Sequence, residues 1–106
     1  MEAIWSRIKE ITFMTFNSVK RKINPNQRTD CFEIFGLDYI IDEELKVWLI
    51  EVNENPCLEC SSPLLGQLIP RLLDDAFSLV LDPSLEPRHR ERPYKVEGYR
   101  NDQNLW

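Results

Sequence analysis

Two short apolar segments joined by an acidic turn limit what this chain can fold into. The first covers residues 31–41 and the second covers residues 46–53. Both are rich in β-branched and aromatic residues, which favour strands, and so short a connection predicts an antiparallel hairpin. Because a lone two-stranded hairpin is only marginally stable in water, it needs further structure to pack against.

Apolar residues at helical spacing flank the hairpin on both sides. They recur over residues 4–19, until the sequence Asn-Pro-Asn at 24–26 stops the first helix. The sequence Ser-Ser-Pro at 61–63 supplies a serine cap and a first-turn proline for the second helix. Pro70 is expected either to kink that helix or to mark its true beginning. The order of elements predicts an α+β fold, an antiparallel β-hairpin flanked by helices.

Both faces of the hairpin are apolar along most of their length, so we expect both to be covered. The second face of the hairpin needs a further layer, which suggests that part of the fold is absent or that a partner supplies that layer. Residues 82–106 carry three prolines and few apolar residues. We predict an extended or disordered tail there.

Charge and composition exclude several classes of protein. The formal net charge of −5 argues against a nucleic-acid binder. No apolar run is long enough to cross a bilayer, and the first residues do not resemble a signal peptide. We therefore predict no membrane partner and a cytoplasmic protein with reduced thiols.

The cysteines offer a second candidate site. Cys57 and Cys60 have C-x-x-C spacing, and together with Cys31 and His89 they have the ligand types of a zinc site. No second C-x-x-C accompanies them, so reduced cysteines on a loop are the preferred interpretation. A basic run at residues 88–92 is either solvated or binds an acidic polypeptide.

Three polar residues interrupt the apolar strands: Asp38, Glu51 and Asn53. Burying carboxylates among apolar neighbours is costly unless a cation or hydrogen bonds compensate. Two carboxylates and an amide oxygen are ligands that suit Mg²⁺ bound to substrate phosphates. The three residues are therefore a candidate metal site.

The register of the hairpin decides whether these side chains meet. We assume that Ile41 pairs with Lys46 across the turn. Asp38 then lies opposite Leu49, and Glu51 is its diagonal neighbour on the same face. A shift by one residue moves Asp38 to the other face. In the alternative interpretation, the second strand ends in water and Asp38 caps a bend.

The stretch from Cys31 to Asn53 closely resembles the end of the ATP-grasp domain in tubulin tyrosine ligase and its relatives. That pattern is an aromatic-rich strand with Gly-x-Asp, an acidic turn, Lys-x-Trp-Leu and Glu-Val-Asn before a proline. The chain carries it as Gly36-Leu37-Asp38, Asp42-Glu43, Lys46-Val47-Trp48-Leu49, Glu51-Val52-Asn53 and Pro56. The likeness extends more loosely over residues 4–81. It implies that residues 1–81 form the C-terminal portion of an ATP-grasp domain.

The resemblance implies roles for four residues. Asp38, Glu51 and Asn53 would ligate magnesium on the phosphates of ATP, and Ile50 would line the adenine pocket. No catalytic residue is assigned to this chain. Members of the family use ATP to activate a carboxylate as an acyl phosphate, which the amine of an amino acid attacks. The metal's part in that chemistry is electrostatic.

The resemblance therefore implies an ATP- and Mg²⁺-dependent ligase that adds tyrosine, glutamate or glycine to tubulin. Its expected partners are the C-terminal tails of tubulin and a free amino acid, and its expected location is the cytoskeleton, including the cilium or basal body. The upstream ATP-grasp elements are missing, so this chain alone is expected to have no ligase activity. The alternative is a non-catalytic microtubule-associated or ciliary structural protein with a partial ATP-grasp fold.

Overall fold

A computed structural model of the chain describes residues 1–81 and 95–98. Its elements, in order, are α1 (Glu2–Ile23), β1 (Gly36–Ile41), β2 (Val47–Asn53) and α2 (Pro63–Val80). This order confirms the predicted helix, hairpin and helix. The chain divides into two compact units, Met1–Pro56 and Cys57–Trp106.

Some predictions concern residues that the structure does not describe. The predicted tail falls outside the described residues except for residues 95–98, and His89 and the basic run at 88–92 also fall outside them. Within residues 1–81 and 95–98, neither helix is both long enough and apolar enough to cross a membrane.

Helix α1 packs on one face of the hairpin through a polar and an aromatic contact. The hydroxyl oxygens of Thr12 and Tyr39 lie 2.7 Å apart. The rings of Phe16 and Phe35 have centroids 5.1 Å apart at an angle of 56°, a favourable tilted arrangement. Val47 of β2 is only 5% exposed. The core of the first unit therefore lies between α1 and the hairpin.

The first strand is shorter than predicted. The sequence indicated a strand from Cys31, but β1 begins at Gly36. Gly36 pairs with Asn53, the last residue of β2. Residues 31–35 therefore have no partner strand on the hairpin, and without one they cannot form ladder hydrogen bonds.

The register assumed from the sequence was wrong. Ile41 pairs with Val47 rather than with Lys46, and the partner of Leu49 is Tyr39. The difference arises in the turn, which the sequence left undefined. Its backbone closes through hydrogen bonds from Asp42 N–H to Lys46 C=O at 3.1 Å and from Leu45 N–H to Asp42 C=O at 2.9 Å.

The two faces of the hairpin differ in burial. The face turned away from α1, which we call the open face, carries the side chains of Asp38, Ile40, Trp48, Glu51 and Asn53 and the Cα hydrogens of Gly36. Ile40 and Trp48 are 56% and 47% exposed. Among the described residues of this unit, α1 packs on the opposite face only. The expectation that an absent part of the fold or a partner covers the open face stays a prediction.

Asp42 organises the turn between the strands. One carboxylate oxygen accepts hydrogen bonds from the backbone N–H groups of Glu44 at 3.0 Å and Lys46 at 2.8 Å. The other accepts one from the indole N–H of Trp48 at 2.8 Å. The Lys46 ammonium lies 4.1 Å from the centroid of the Trp48 ring, in cation–π range. Leu45 has φ 61°, the left-handed conformation that closes such turns.

These hydrogen bonds give the turn a pH dependence. The bond from the Trp48 indole, followed by the one from Lys46 N–H, lowers the pKa of Asp42 below its ordinary value of 3.8. Because this pKa is lower in the folded state, the ionised carboxylate stabilises that state at pH values above the ordinary pKa. The stabilisation is lost as the pH falls through the pKa of the folded state. We expect the indole N–H resonance of Trp48 to titrate with a midpoint below 3.8. Asp42→Asn should abolish the transition, and a midpoint at or above the ordinary value would contradict the assignment.

Helix α2 begins where the sequence predicted. The Ser62 hydroxyl accepts a hydrogen bond from Leu65 N–H at 3.1 Å, and Pro63 occupies the first turn. Pro70 lies inside α2, so it does not mark the beginning of the helix.

A buried ion pair lies one residue beyond Pro70. Arg71 and Asp75 have no exposed surface, and the Arg71 Nε–H donates to both carboxylate oxygens of Asp75 at 3.1 and 3.2 Å. The two residues are one helical turn apart, so the pair closes within α2 itself. The sequence analysis did not identify this pair.

Candidate metal site

A bulge in β2 brings the two carboxylates together. Asp38 pairs directly with Glu51, whereas the next residue, Tyr39, pairs with Leu49. Ile50 is therefore the extra residue of a β-bulge. Without the bulge, strand alternation would turn Glu51 to the face opposite Asp38. The shared face that was predicted from a different register is thus present, for a different reason.

Asn53 links the two carboxylates. Its side-chain N–H group donates to Glu51 Oε1 at 3.1 Å and to Asp38 Oδ2 at 3.4 Å. These donors offset part of the repulsion between two adjacent negative charges. Both carboxylates are exposed and Asn53 is half-buried. The two carboxylates are therefore not buried among apolar neighbours, because the open face has no covering layer among the described residues.

The three side chains fit a magnesium ion that has further oxygen ligands. Magnesium is usually held by one or two carboxylates, with waters and phosphate oxygens in the remaining positions. An asparagine amide has an acceptor oxygen as well as donors, so Asn53 is suited to add a neutral ligand. Among the described residues, no three histidine, cysteine, aspartate or glutamate side chains form a metal-binding group. Two carboxylates and an amide leave coordination positions for phosphate oxygens, as the expected magnesium site requires.

The cysteines do not form a second site within the described residues. Cys31, Cys57 and Cys60 are free and exposed. No metal-binding group that includes them is found in this part of the chain. His89, the remaining ligand of the zinc interpretation, lies outside it.

Ile50 occupies a special position next to the acidic pair. It is the bulge residue, and 55% of its surface is exposed. An exposed apolar side chain beside Glu51 is available to a ligand at the carboxylates. Its role at the adenine ring stays a prediction from the resemblance.

A close contact between Gly36 and Pro56 was missed by the sequence analysis. A Cβ atom on Gly36 would lie 3.0 Å from Cβ of Pro56 and 3.8 Å from Cβ of Asn53. Glycine therefore lets Pro56 lie against the start of β1, on the open face. This contact fixes how the chain leaves β2 directly after Asn53. Only the correct register, with Gly36 opposite Asn53, could have revealed it.

Replacing Gly36 with alanine should disturb this contact. We expect the free energy of unfolding to fall by about 1–3 kcal/mol, because the rigid proline ring cannot move aside without its backbone. The side-chain amide resonances of Asn53 should shift as well. Pro56→Gly removes the clashing Cβ, so Gly36→Ala should cost less in that background. If Gly36→Ala lowers the free energy of unfolding equally in the two backgrounds, as measured by urea unfolding, the contact with Pro56 is not the cause of the loss.

Comparison with known proteins places these residues in a family. The sequence model described as the tubulin-tyrosine ligase family matches residues 1–89. The chain is 43% identical over 72 residues to the tubulin polyglutamylase ttll-5 of Caenorhabditis elegans, covering 66% of this chain. It is 34% identical over 99 residues to the probable tubulin polyglutamylase TTLL9 of Bos taurus, covering 93% of this chain.

A further relative has a different named activity. The chain is 30% identical over 94 residues to the protein polyglycylase TTLL10 of Rattus norvegicus, which covers 89% of this chain. The matched region spans only 10% to 20% of the length of these three relatives. No solved structure matches the chain significantly.

Proposed function

The chain belongs to the tubulin-tyrosine ligase family, and we propose that it carries the magnesium-holding part of an ATP-dependent ligase that adds an amino acid to tubulin. Two of the relatives are named tubulin polyglutamylases and one a protein polyglycylase, which supports amino-acid addition. One observation carries the metal assignment: Asn53 bridges Asp38 and Glu51 on the open face.

The electrostatics of the open face favour a divalent cation. Asp38 and Glu51 are directly paired across the hairpin, so their charges repel at short range. A cation between them would turn that repulsion into attraction, and the half-buried Asn53 would orient the pair. Magnesium suits the site better than calcium, because calcium takes six to eight oxygen ligands, whereas magnesium shares its sphere with substrate phosphates.

The proposed reaction has two steps. A carboxylate of tubulin attacks the terminal phosphorus of ATP, and ADP leaves. The amine of the incoming amino acid then attacks the acyl carbon, phosphate leaves, and the amine loses a proton. Magnesium, when bound, offsets charge on the phosphate oxygens and orients them.

In this proposal the residues of this chain hold the metal ion and position the nucleotide. They do not transfer protons. Asp38 and Glu51 supply anionic ligands from adjacent strands, and Asn53 fixes the distance between them. Ile50, held out of the ladder by the bulge, supplies apolar surface for the adenine ring under the same proposal. The ATP-grasp fold, the tubulin tails, the free amino acid and a location on the cytoskeleton, cilium or basal body all belong to this proposal.

Metal binding by the chain itself tests the proposal. Manganese favours the same oxygen ligands as magnesium and broadens NMR signals close to it. We expect Mn²⁺ to broaden the amide resonances around Asp38, Glu51 and Asn53 first, and Mg²⁺ to reverse the effect. Asp38→Asn should weaken binding about tenfold or more, since it removes one of the two charged ligands.

The matched control removes the same charge from the other end of the hairpin. Glu43→Gln lies in the exposed turn, far along the strands from the acidic pair. Mn²⁺ binding should be unchanged in this variant. Equal weakening in Asp38→Asn and Glu43→Gln would mean that the ion senses only the general negative charge, and the non-catalytic structural interpretation would then be preferred.

A further inference from the structure

One segment of this acidic chain carries positive charge and no negative charge. Residues 11–29 contain four of the 13 lysines and arginines and none of the 18 acidic residues. The segment covers the second half of α1 and the loop that follows it. Three of the four cations, Lys20, Arg21 and Arg28, line a single open cavity of about 860 Å³.

The loop after α1 is folded so that it brings these cations together. Asn24 accepts a hydrogen bond from the backbone N–H of Arg28 at 2.9 Å and donates one to its carbonyl at 2.8 Å. Gln27, at φ 50°, donates its N–H to the Asn24 carbonyl at 3.2 Å. The loop therefore turns back on the end of the helix, and Arg28 is placed beside residues that precede it by a full helical turn or more.

The lining of the cavity is complementary to anions. Besides the three cations, its lining includes the amide side chains of Asn17, Asn24 and Gln27, and no carboxylate among the residues that the structure describes. Basic residues in the last turn of a helix also suit its dipole. That reason does not extend to Arg28, which lies outside α1. The ion pair of Arg28 with Asp30 is exposed, with both contacts at 3.3 Å, so a ligand carboxylate can replace it at little cost.

We propose that this cavity is a docking site for an acidic peptide. Arginine binds carboxylates through paired hydrogen bonds, and amide side chains add donors between the charges. Within the described part of the chain, no aromatic residue lines the cavity to offer a nucleobase a stacking surface, which disfavours single-stranded nucleic acid. The volume of the cavity is within the range of ligand sites. The cavity is also open to solvent, which suits an extended peptide. The identity of the acidic polypeptide that binds in the cell rests on the proposed function, whereas the binding site itself does not.

Fluorescence anisotropy with a labelled oligoglutamate peptide tests the site in the whole chain, without ATP or metal. Binding should weaken as salt rises. Arg21→Gln/Arg28→Gln should weaken it about tenfold, because two charge-assisted contacts are removed. The matched control, Arg7→Gln/Lys9→Gln, removes the same charge from exposed positions of α1 outside the cavity and should leave affinity unchanged.

Three results would overturn the proposal: absence of peptide binding, equal weakening in both double variants, or tighter binding of an oligodeoxynucleotide than of the peptide. All four substituted positions are exposed, and far-UV circular dichroism checks that the variants fold. Glu51→Gln separates this proposal from the metal site, since it should leave peptide binding intact. Absence of Mn²⁺ binding by the unsubstituted chain, with intact peptide binding, would contradict only the proposed function.

Discussion

Replacing Asp75 with asparagine is expected to destabilise the second unit of the chain by about 3 kcal/mol or more. Arg71 and Asp75 have no exposed surface, and both carboxylate oxygens of Asp75 accept from Arg71. Asparagine keeps the shape of the side chain but removes the negative charge that faces the buried guanidinium. The loss of this charge compensation, rather than of a hydrogen bond, accounts for most of the cost.

The chain has two compact units, so the loss of stability is best measured in the unit that contains the pair. Hydrogen exchange of the α2 amides provides that local measurement. The control is the exposed ion pair of α1, in which Arg7 and Glu10 lie 2.6 Å apart with side chains 51% and 56% exposed. Arg7→Ala should change the exchange of α1 by no more than about 0.5 kcal/mol. If Asp75→Asn does not fold, Arg71→Lys provides a milder test. If breaking the buried pair and breaking the exposed pair lowered stability by similar amounts, burial would not be the reason for the large effect of Asp75→Asn.

The elements of this fold could be predicted from the sequence because their signals are local. Helical spacing, the serine cap at Ser62 and the stop after α1 depend on neighbouring residues, and all three were found in the structure. The register could not be predicted in this way. Both strands are apolar on both faces, so a shift by one residue exchanges similar side chains and leaves the hydrophobic pattern unchanged.

The candidate site, like the fold, could be predicted only in part from the sequence. The residue types at 38, 51 and 53 indicated a cation site, and the structure brings those three side chains together. The bulge at Ile50 that makes this possible has no signature in the sequence, since isoleucine fits a regular strand equally well. The exposure of Trp48 could not be predicted either, because an apolar pattern does not specify which element covers a face.

The buried pair in α2 was missed for a related reason. Arginine and aspartate one helical turn apart usually lie on a solvated face, where such a pair adds little stability. Only the three-dimensional surroundings make Arg71 and Asp75 a buried pair. An arginine followed by a carboxylate three or four residues later therefore contributes differently to stability in α1 and α2, and a sequence pattern cannot distinguish the two cases.

Glu51→Gln is expected to abolish amino-acid ligation by a protein that contains this chain together with the remaining elements of an ATP-grasp domain. Glutamine keeps the size of the side chain and an acceptor oxygen, but it removes one of the two negative charges that face the cation. We expect kcat/KM to fall about a hundredfold or more, because charge on the transferring phosphates is then less well offset. The chain alone should be inactive in the same assay, with or without the substitution.

The dependence on magnesium distinguishes a lost metal ligand from a damaged fold. A variant with a weakened metal site should recover part of its activity as Mg²⁺ is raised, whereas a misfolded one should not. Glu43→Gln, which removes the same charge at the turn of the hairpin, should match the unsubstituted protein at every Mg²⁺ concentration. Asn53→Ala should resemble Glu51→Gln, because it removes the group that bridges both carboxylates. If Glu51→Gln matched the unsubstituted protein at limiting Mg²⁺, the acidic pair would not be the metal site.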